Sequence, residues 1–155
     1  MDWMAEFKDL ALITLACLLA GVVGLEREKG GKPAGFRTHM IIGGAAALLV
    51  VCGKWLVAGT VLTGPTDSLR YDPLRIIEAV IVGVSFIGAG TILKMPANEK
   101  GSRVKYLTTA ASLLFSAGLG ICVAIERYII AAGVTLLILA INHLLGKFDI
   151  HDPKS

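Results

Sequence analysis

A chain of 155 residues that is 55% hydrophobic and only 17% charged, with a mean hydropathy of +0.72, carries more apolar surface than a soluble domain of that size can bury; ordinary soluble domains are about 25% charged. A formal net charge of +3 is too small to suggest a phosphate backbone as ligand, so no nucleic-acid partner is expected. The apolar runs do not alternate as membrane β-strands would, so the expected fold is all-α: a polytopic transmembrane helical bundle in one domain, residues 1–155, surrounded by lipid.

The first residues are net acidic, with Asp2, Glu6 and Asp9 against Lys8, so no cleavable signal is expected. The first span, at about 8–25, places small residues four apart at Ala16, Ala20 and Gly24, a spacing that lets a second helix approach closely. Residues 21–39 follow as a charged hinge. They hold Arg27, Lys29, Lys32 and Arg37 with Glu26 and Glu28 between two apolar runs. Within it Thr38 is placed to cap the second span, about 39–58. Lys54 and Trp55 look like an interfacial anchor pair.

Residues 59–75 read as the longest non-spanning stretch, with turn formers at Gly64-Pro65 and Asp72-Pro73. Arg75 and Glu78 lie three apart and are expected to pair on one helix face. The third span, about 76–93, is rich in Gly83, Ser85, Gly88, Ala89 and Gly90. Such thinness predicts burial at the centre of the bundle, with Gly24, Gly83, Gly88 and Gly90 as packing positions.

A second basic loop, 94–105, leads to a fourth span at about 106–125. Its twenty residues reach roughly 30 Å as a helix. It opens on Thr108-Thr109 and sets Ser112, Ser116 and Gly120 four apart. Glu126-Arg127 breaks it from a fifth span, about 128–146, which carries Asn142 and His143. Cys17, Cys52 and Cys122 all fall in apolar runs without CxxC spacing, so they are expected as buried apolar side chains rather than as disulfide or zinc ligands.

Placing the charged hinge in the cytoplasm puts ten Lys and Arg residues on that side and five on the other. The positive-inside rule then orients five spans with the N-terminus out and the C-terminus in. Glu26, Arg37, Thr38, Thr108 and Thr109 would all lie near the cytoplasmic face. They form the candidate polar site, for an ion, a lipid headgroup or a partner. Glu26 and Arg37 are expected to pair across the hinge.

Three ordered segments carry a family resemblance. Gly24-Leu25-Glu26-Arg27-Glu28 with Ala34-Gly35-Phe36-Arg37-Thr38-His39 resembles the first signature of the MgtC/SapB family of bacterial inner-membrane proteins. Asp72-Pro73, Arg75-Ile76 and Gly83-Val84-Ser85-Phe86-Ile87-Gly88-Ala89-Gly90 resemble the second. Val104 and Leu107-Thr108-Thr109-Ala110-Ala111-Ser112-Leu113 resemble the third. Ser85, Glu78, Lys105-Tyr106 and Leu114 depart from the family's usual residues. Larger members add a cytoplasmic C-terminal domain, so the resemblance is to the short, membrane-only members.

The resemblance implies a multi-pass protein of the bacterial inner membrane, linked to adaptation to low magnesium and, in pathogens, to survival inside host cells. It implies either a magnesium transporter or a regulator of another membrane protein, the proton-translocating ATP synthase among them. The residues themselves favour regulation. No Asp or Glu is expected inside a span, whereas magnesium is bound through carboxylates and ion paths place ionisable groups within the membrane. No catalytic motif appears, so no enzyme is expected. No cofactor is expected, Mg2+ being the one ion the resemblance admits. The small-residue faces suit a homo-oligomer, a dimer first.

Overall fold

The computed structural model describes residues 3–63, 72–94 and 104–146. Five helices run in chain order: α1 (Trp3–Lys29), α2 (Phe36–Thr63), α3 (Pro73–Thr91), α4 (Leu107–Ala124) and α5 (Tyr128–Gly146). Between α3 and α4, β1 (Leu93–Lys94) and β2 (Val104–Lys105) pair as a two-residue antiparallel ladder. Among the described residues four helices are long and apolar enough to cross a membrane: α1, α2 over Phe36–Ala58, α3 over Leu74–Thr91, and α4. The apolar stretch of α5, Tyr128–His143, is shorter. The expected turn at Gly64-Pro65, most of the second basic loop and the tail lie outside the described residues.

The helices run past the expected span ends, because backbone chemistry rather than charge stops them. α1 continues through Glu26, Arg27 and Glu28, and only 30–35 of the expected hinge is non-helical. It ends where Gly31 takes a left-handed φ of 65°. There Lys32 N donates to Arg27 O and Gly31 N to Glu28 O, both at 3.0 Å, a closing pattern that glycine permits without steric cost. α2 begins at Phe36, so Thr38 lies inside its first turn and is not the cap. Glu28 Oε2 instead accepts from Phe36 N at 2.8 Å, reaching across the turn to satisfy an amide at the helix start. Residues 59–63 and 73–75, expected outside the spans, are helical. Asp72 caps α3, its side chain accepting from Leu74 N at 3.0 Å, with proline in the first turn, where its missing N–H costs nothing.

α1 and α2 pack as an antiparallel pair, and α4 lies against both. The core is where their slim faces meet. α1 buries Ala16, Ala20, Gly21, Val23 and Gly24, and α4 buries Ser112, Ser116, Ala117 and Gly120. α2 buries Gly43, Ala46, Ala47 and Val50. A Cβ on Gly43 would sit 2.5 Å from Ala20 Cβ, 3.1 Å from Ala16 O and 3.3 Å from Ser116 O, so the backbones touch there. In lipid, where burial of apolar surface drives little, such close contact is the main source of helix association.

α4 is therefore the central helix, and the expectation for α3 is corrected. α3 lies at the edge, with Val80, Val84 and Gly88 buried and Ile81, Val82, Phe86 and Ile87 exposed. Only Gly88 of its glycines meets a neighbour, Ala110 Cβ at 3.3 Å; nothing lies within 4 Å of a Cβ built at Gly83 or Gly90. Small residues thin a helix whether or not another helix uses the space. The cysteines also differ from expectation. Cys52 is exposed, and Cys17 and Cys122 are half-buried, since an apolar side chain in a membrane helix can face lipid as well as protein. The exposed large apolar side chains, Trp3, Phe7, Ile129 and Leu136 among them, form the lipid-facing surface.

The bundle has two polar ends. One gathers the turn 30–35, the end of α5 and the start of α4. At the other, Lys8 Nζ pairs with Glu126 Oε1 at 2.7 Å, Trp55 Nε1 donates to Asp9 Oδ2 at 2.6 Å, and Lys54 donates to the carbonyl of Ala124. The anchor pair thus ties α2 to α1 and α4. Here α4 turns into α5 through Glu126 at φ 62°, with Glu126 N donating to Val123 O and Arg127 N to Cys122 O. This is the same closure as at Gly31, with a non-glycine in the left-handed position.

Candidate functional site

The polar end with the turn 30–35 is assembled from four helix termini: the end of α1, the start of α2, the start of α4 and the end of α5. The face of α1 that carries Ala16, Ala20 and Gly24 continues, one turn on, to Arg27, which is 5% exposed. α2 places His39 on the face that carries Gly43, and α4 places Thr109 and Ser112 on the face that carries Ser116 and Gly120. His39 and Thr109 are wholly buried. The sequence period that packs the core therefore delivers an arginine, an imidazole and two hydroxyls to one place.

Their bonds tie the helices together. Arg27 Nη2 donates to Thr108 Oγ1 at 3.1 Å. His39 Nδ1 donates to Gly35 O at 2.8 Å; a carbonyl only accepts, so this nitrogen carries a hydrogen. His39 Nε2 lies 3.2 Å from Ser112 Oγ, and Ser112 Oγ donates to Thr109 O at 2.8 Å. Ser112 Oγ owns one hydrogen and has two groups to share it with. A serine bonded to a histidine resembles a nucleophile with its base, but here the pair is buried and the ring is oriented by a backbone carbonyl within its own helix start. Its evident work is to join α2 to α4.

Of the expected site residues, Thr108 takes part in these contacts through its hydroxyl and Thr109 through its carbonyl. Thr38 is half-buried in the first turn of α2, and Arg37 is exposed. The Glu26–Arg37 pair does not form. Glu26 Oε2 instead accepts from Asn142 Nδ2 at 2.7 Å, which brings the end of α5 onto the site. Nor do Arg75 and Glu78 pair: among the described residues Lys8–Glu126 is the only ion pair. Glu78 lies on the exposed face of α3, nearly two turns inside the helix, and Glu26 lies in the last turns of α1, so both carboxylates are inside helices rather than between them.

Reading residue types missed Arg27, His39 and Ser112 as the buried members. A charge suggests a surface, and only the small-residue face of α1, carried three residues beyond Gly24, points to Arg27. Among the described residues no three His, Cys, Asp or Glu side chains cluster as a metal site. The polar set is guanidinium, imidazole, amide and hydroxyl with one carboxylate at its edge.

The comparisons with known proteins agree with the motifs. The family model described as the MgtC family matches residues 13–150. The chain is 38% identical over 144 residues to "Putative magnesium transporter YhiD" of Escherichia coli (strain K12), covering 91% of this chain and 62% of that one. It is 34% identical over 145 residues to "Protein MgtC" of Brucella abortus (strain 2308), covering 94% and 54%. It is 32% identical over 144 residues to "Protein MgtC" of Salmonella typhimurium (strain 14028s / SGSC 2262), covering 93% and 55%. The chain thus spans between half and two thirds of the length of these curated relatives. No solved structure matches it. With four membrane-length apolar helices, its three signature segments in place and the family model matched over most of its length, the chain belongs to the MgtC family of multi-pass bacterial inner-membrane proteins.

Proposed function

We propose that this protein is a non-catalytic membrane protein that assembles with itself, as a dimer, and modulates another membrane protein when magnesium is scarce. The observation that carries this reading is the buried Arg27 among the polar groups of α2 and α4. A fixed positive charge at this buried polar cluster opposes a divalent cation there, since like charges at short range in a low-dielectric site repel strongly. The magnesium context comes from the relatives named above, and the partner context from the family signatures, for which the proton-translocating ATP synthase is one partner class.

The name of the 38% identical relative, "Putative magnesium transporter YhiD", favours a second reading, a small magnesium transporter that uses backbone carbonyls and hydroxyls. Purified protein in liposomes loaded with a magnesium-sensitive dye separates the two. The regulator reading expects no saturable magnesium entry and a recurrent membrane protein co-purifying from native membranes. Saturable entry that is lost in Thr109→Val, with the fold intact, overturns it.

A further inference from the structure

We propose that Arg27 and the start of α4 form a binding site for a phosphate group. The guanidinium is buried and keeps its charge at any pH a protein meets. One nitrogen is satisfied by Thr108, but Nε is buried with no hydrogen-bond partner among the described residues. A buried cation is tolerated only where acceptors or an opposite charge compensate it. Both carboxylates nearest in sequence are turned to neutral donors: Glu26 to the amide of Asn142, Glu28 to the backbone N–H of Phe36. Neither forms an ion pair with Arg27. Lys29, Lys32 and Arg37 are exposed at the same end, so with Arg27 the basic side chains there outnumber Glu26 and Glu28.

The start of α4 adds a second, independent set of donors. Tyr106 holds the cap position of this eighteen-residue helix in a left-handed conformation, and its side chain makes no cap bond to the first amides. In its first turn the hydroxyl of Thr109, wholly buried, also has no partner among the described residues. The groups on offer are guanidinium N–H, hydroxyl O–H and helix-start N–H, the last two at the positive end of the α4 dipole. A tetrahedral oxyanion with several acceptor oxygens matches that set, and a metal cation does not. Arg27 lies in the last turns of α1 and Thr108-Thr109 in the first turn of α4, at the boundary of the apolar runs. Lipid headgroup phosphates and free phosphate both reach that depth. The proposal does not presuppose the regulator reading and survives its failure.

The test uses the full chain purified in a maltoside detergent, which carries no phosphate. Retained phospholipid is read by native mass spectrometry. Inorganic phosphate is titrated against chloride at equal ionic strength, with thermal stability as readout. The wild type is expected to keep a phospholipid, which identifies the lipid source, or to be stabilised by phosphate, which identifies the free source. Arg27→Gln should weaken whichever is seen by about tenfold or more, the loss expected for a charge-assisted hydrogen bond. Lys32→Gln, an exposed charge in the same turn, should change it by less than about twofold. If Arg27→Gln does not fold, Thr108→Val and Thr109→Val decide, each removing a hydroxyl while keeping its shape. A wild type that neither retains phospholipid nor responds to phosphate overturns the proposal. Binding unchanged in Arg27→Gln, or in both threonine variants where Arg27→Gln does not fold, also overturns it.

Discussion

Asn142, near the end of α5, donates its side-chain amide to Glu26 Oε2 at 2.7 Å, joining the last helix to the first. The two residues are 116 positions apart, and the bond is the point at which α5 reaches the buried polar cluster. It also takes up the carboxylate that sequence proximity would assign to Arg37.

A double-mutant cycle should therefore find coupling between Glu26→Gln and Asn142→Leu of about 1 kcal/mol, reduced from a fully buried charged bond because both side chains are only partly covered. Glu26→Gln and Arg37→Gln should be additive. Equilibrium unfolding in mild detergent checks both, and coupling confined to the Arg37 cycle would contradict the observed bond.

The glycines should separate by position rather than by helix. A Cβ at Gly24 would lie 2.8 Å from both Gly35 O and Phe36 Cα, backbone atoms that cannot turn aside, so Gly24→Ala should cost about 1–3 kcal/mol by overpacking. Gly83→Ala and Gly90→Ala meet nothing and should be neutral or stabilising by up to about 1 kcal/mol through helix propensity. Gly88→Leu should loosen α3 from α4 at Ala110 while leaving the α1, α2 and α4 core folded. Thermal stability and protease resistance of the four variants report this.

Gly31 holds a left-handed backbone at φ 65° with nothing near its absent side chain. Gly31→Ala should then cost roughly 1–2 kcal/mol from backbone strain alone, and Gly31→Asn less, because asparagine tolerates that region. Equal losses in the two variants would mean that a steric contact, not conformation, sets the cost.

Acid should weaken the opposite end. The hydrogen bond from Lys8, and then its charge, hold the carboxyl of Glu126 below the usual carboxylate range. A group whose folded pKa is depressed stabilises the fold above its unfolded pKa, about 4.3 for glutamate. That contribution is lost as pH falls through the folded value. The fall in melting temperature on acidification should be smaller in Lys8→Gln and in Glu126→Gln than in the wild type. An identical pH profile in all three would show that the exposed pair contributes nothing.

Labelling should place the two polar ends on opposite sides of the membrane. In a background with Cys17, Cys52 and Cys122 replaced, Lys32→Cys is expected to react from the cytoplasm and Arg127→Cys from outside, as the ten-to-five distribution of Lys and Arg requires. Lys32→Cys reacting from outside intact cells would invert the orientation and move the polar cluster with it.

Much of the architecture was present in the order of residues, and for a simple reason. Long uncharged runs have no stable place but the bilayer, so their succession along the chain determined five apolar helices. A helix repeats every 3.6 residues, so the slim faces Ala16, Ala20, Gly24 and Ser112, Ser116, Gly120 were legible as contact faces. Periodicity says which residues share a face; it does not say what covers that face. Only the tertiary structure decided that the glycines of α3 lie at the edge while those of α1, α2 and α4 meet, because a thin helix is equally compatible with lipid. Only it turned Glu26 from Arg37 to Asn142, since α5 returns to the start of the chain through space rather than along sequence. And only it buried Arg27 and His39: both sit in a stretch whose charge reads as solvent-exposed, yet each continues the packed face of its helix for one further turn, beneath the start of α4.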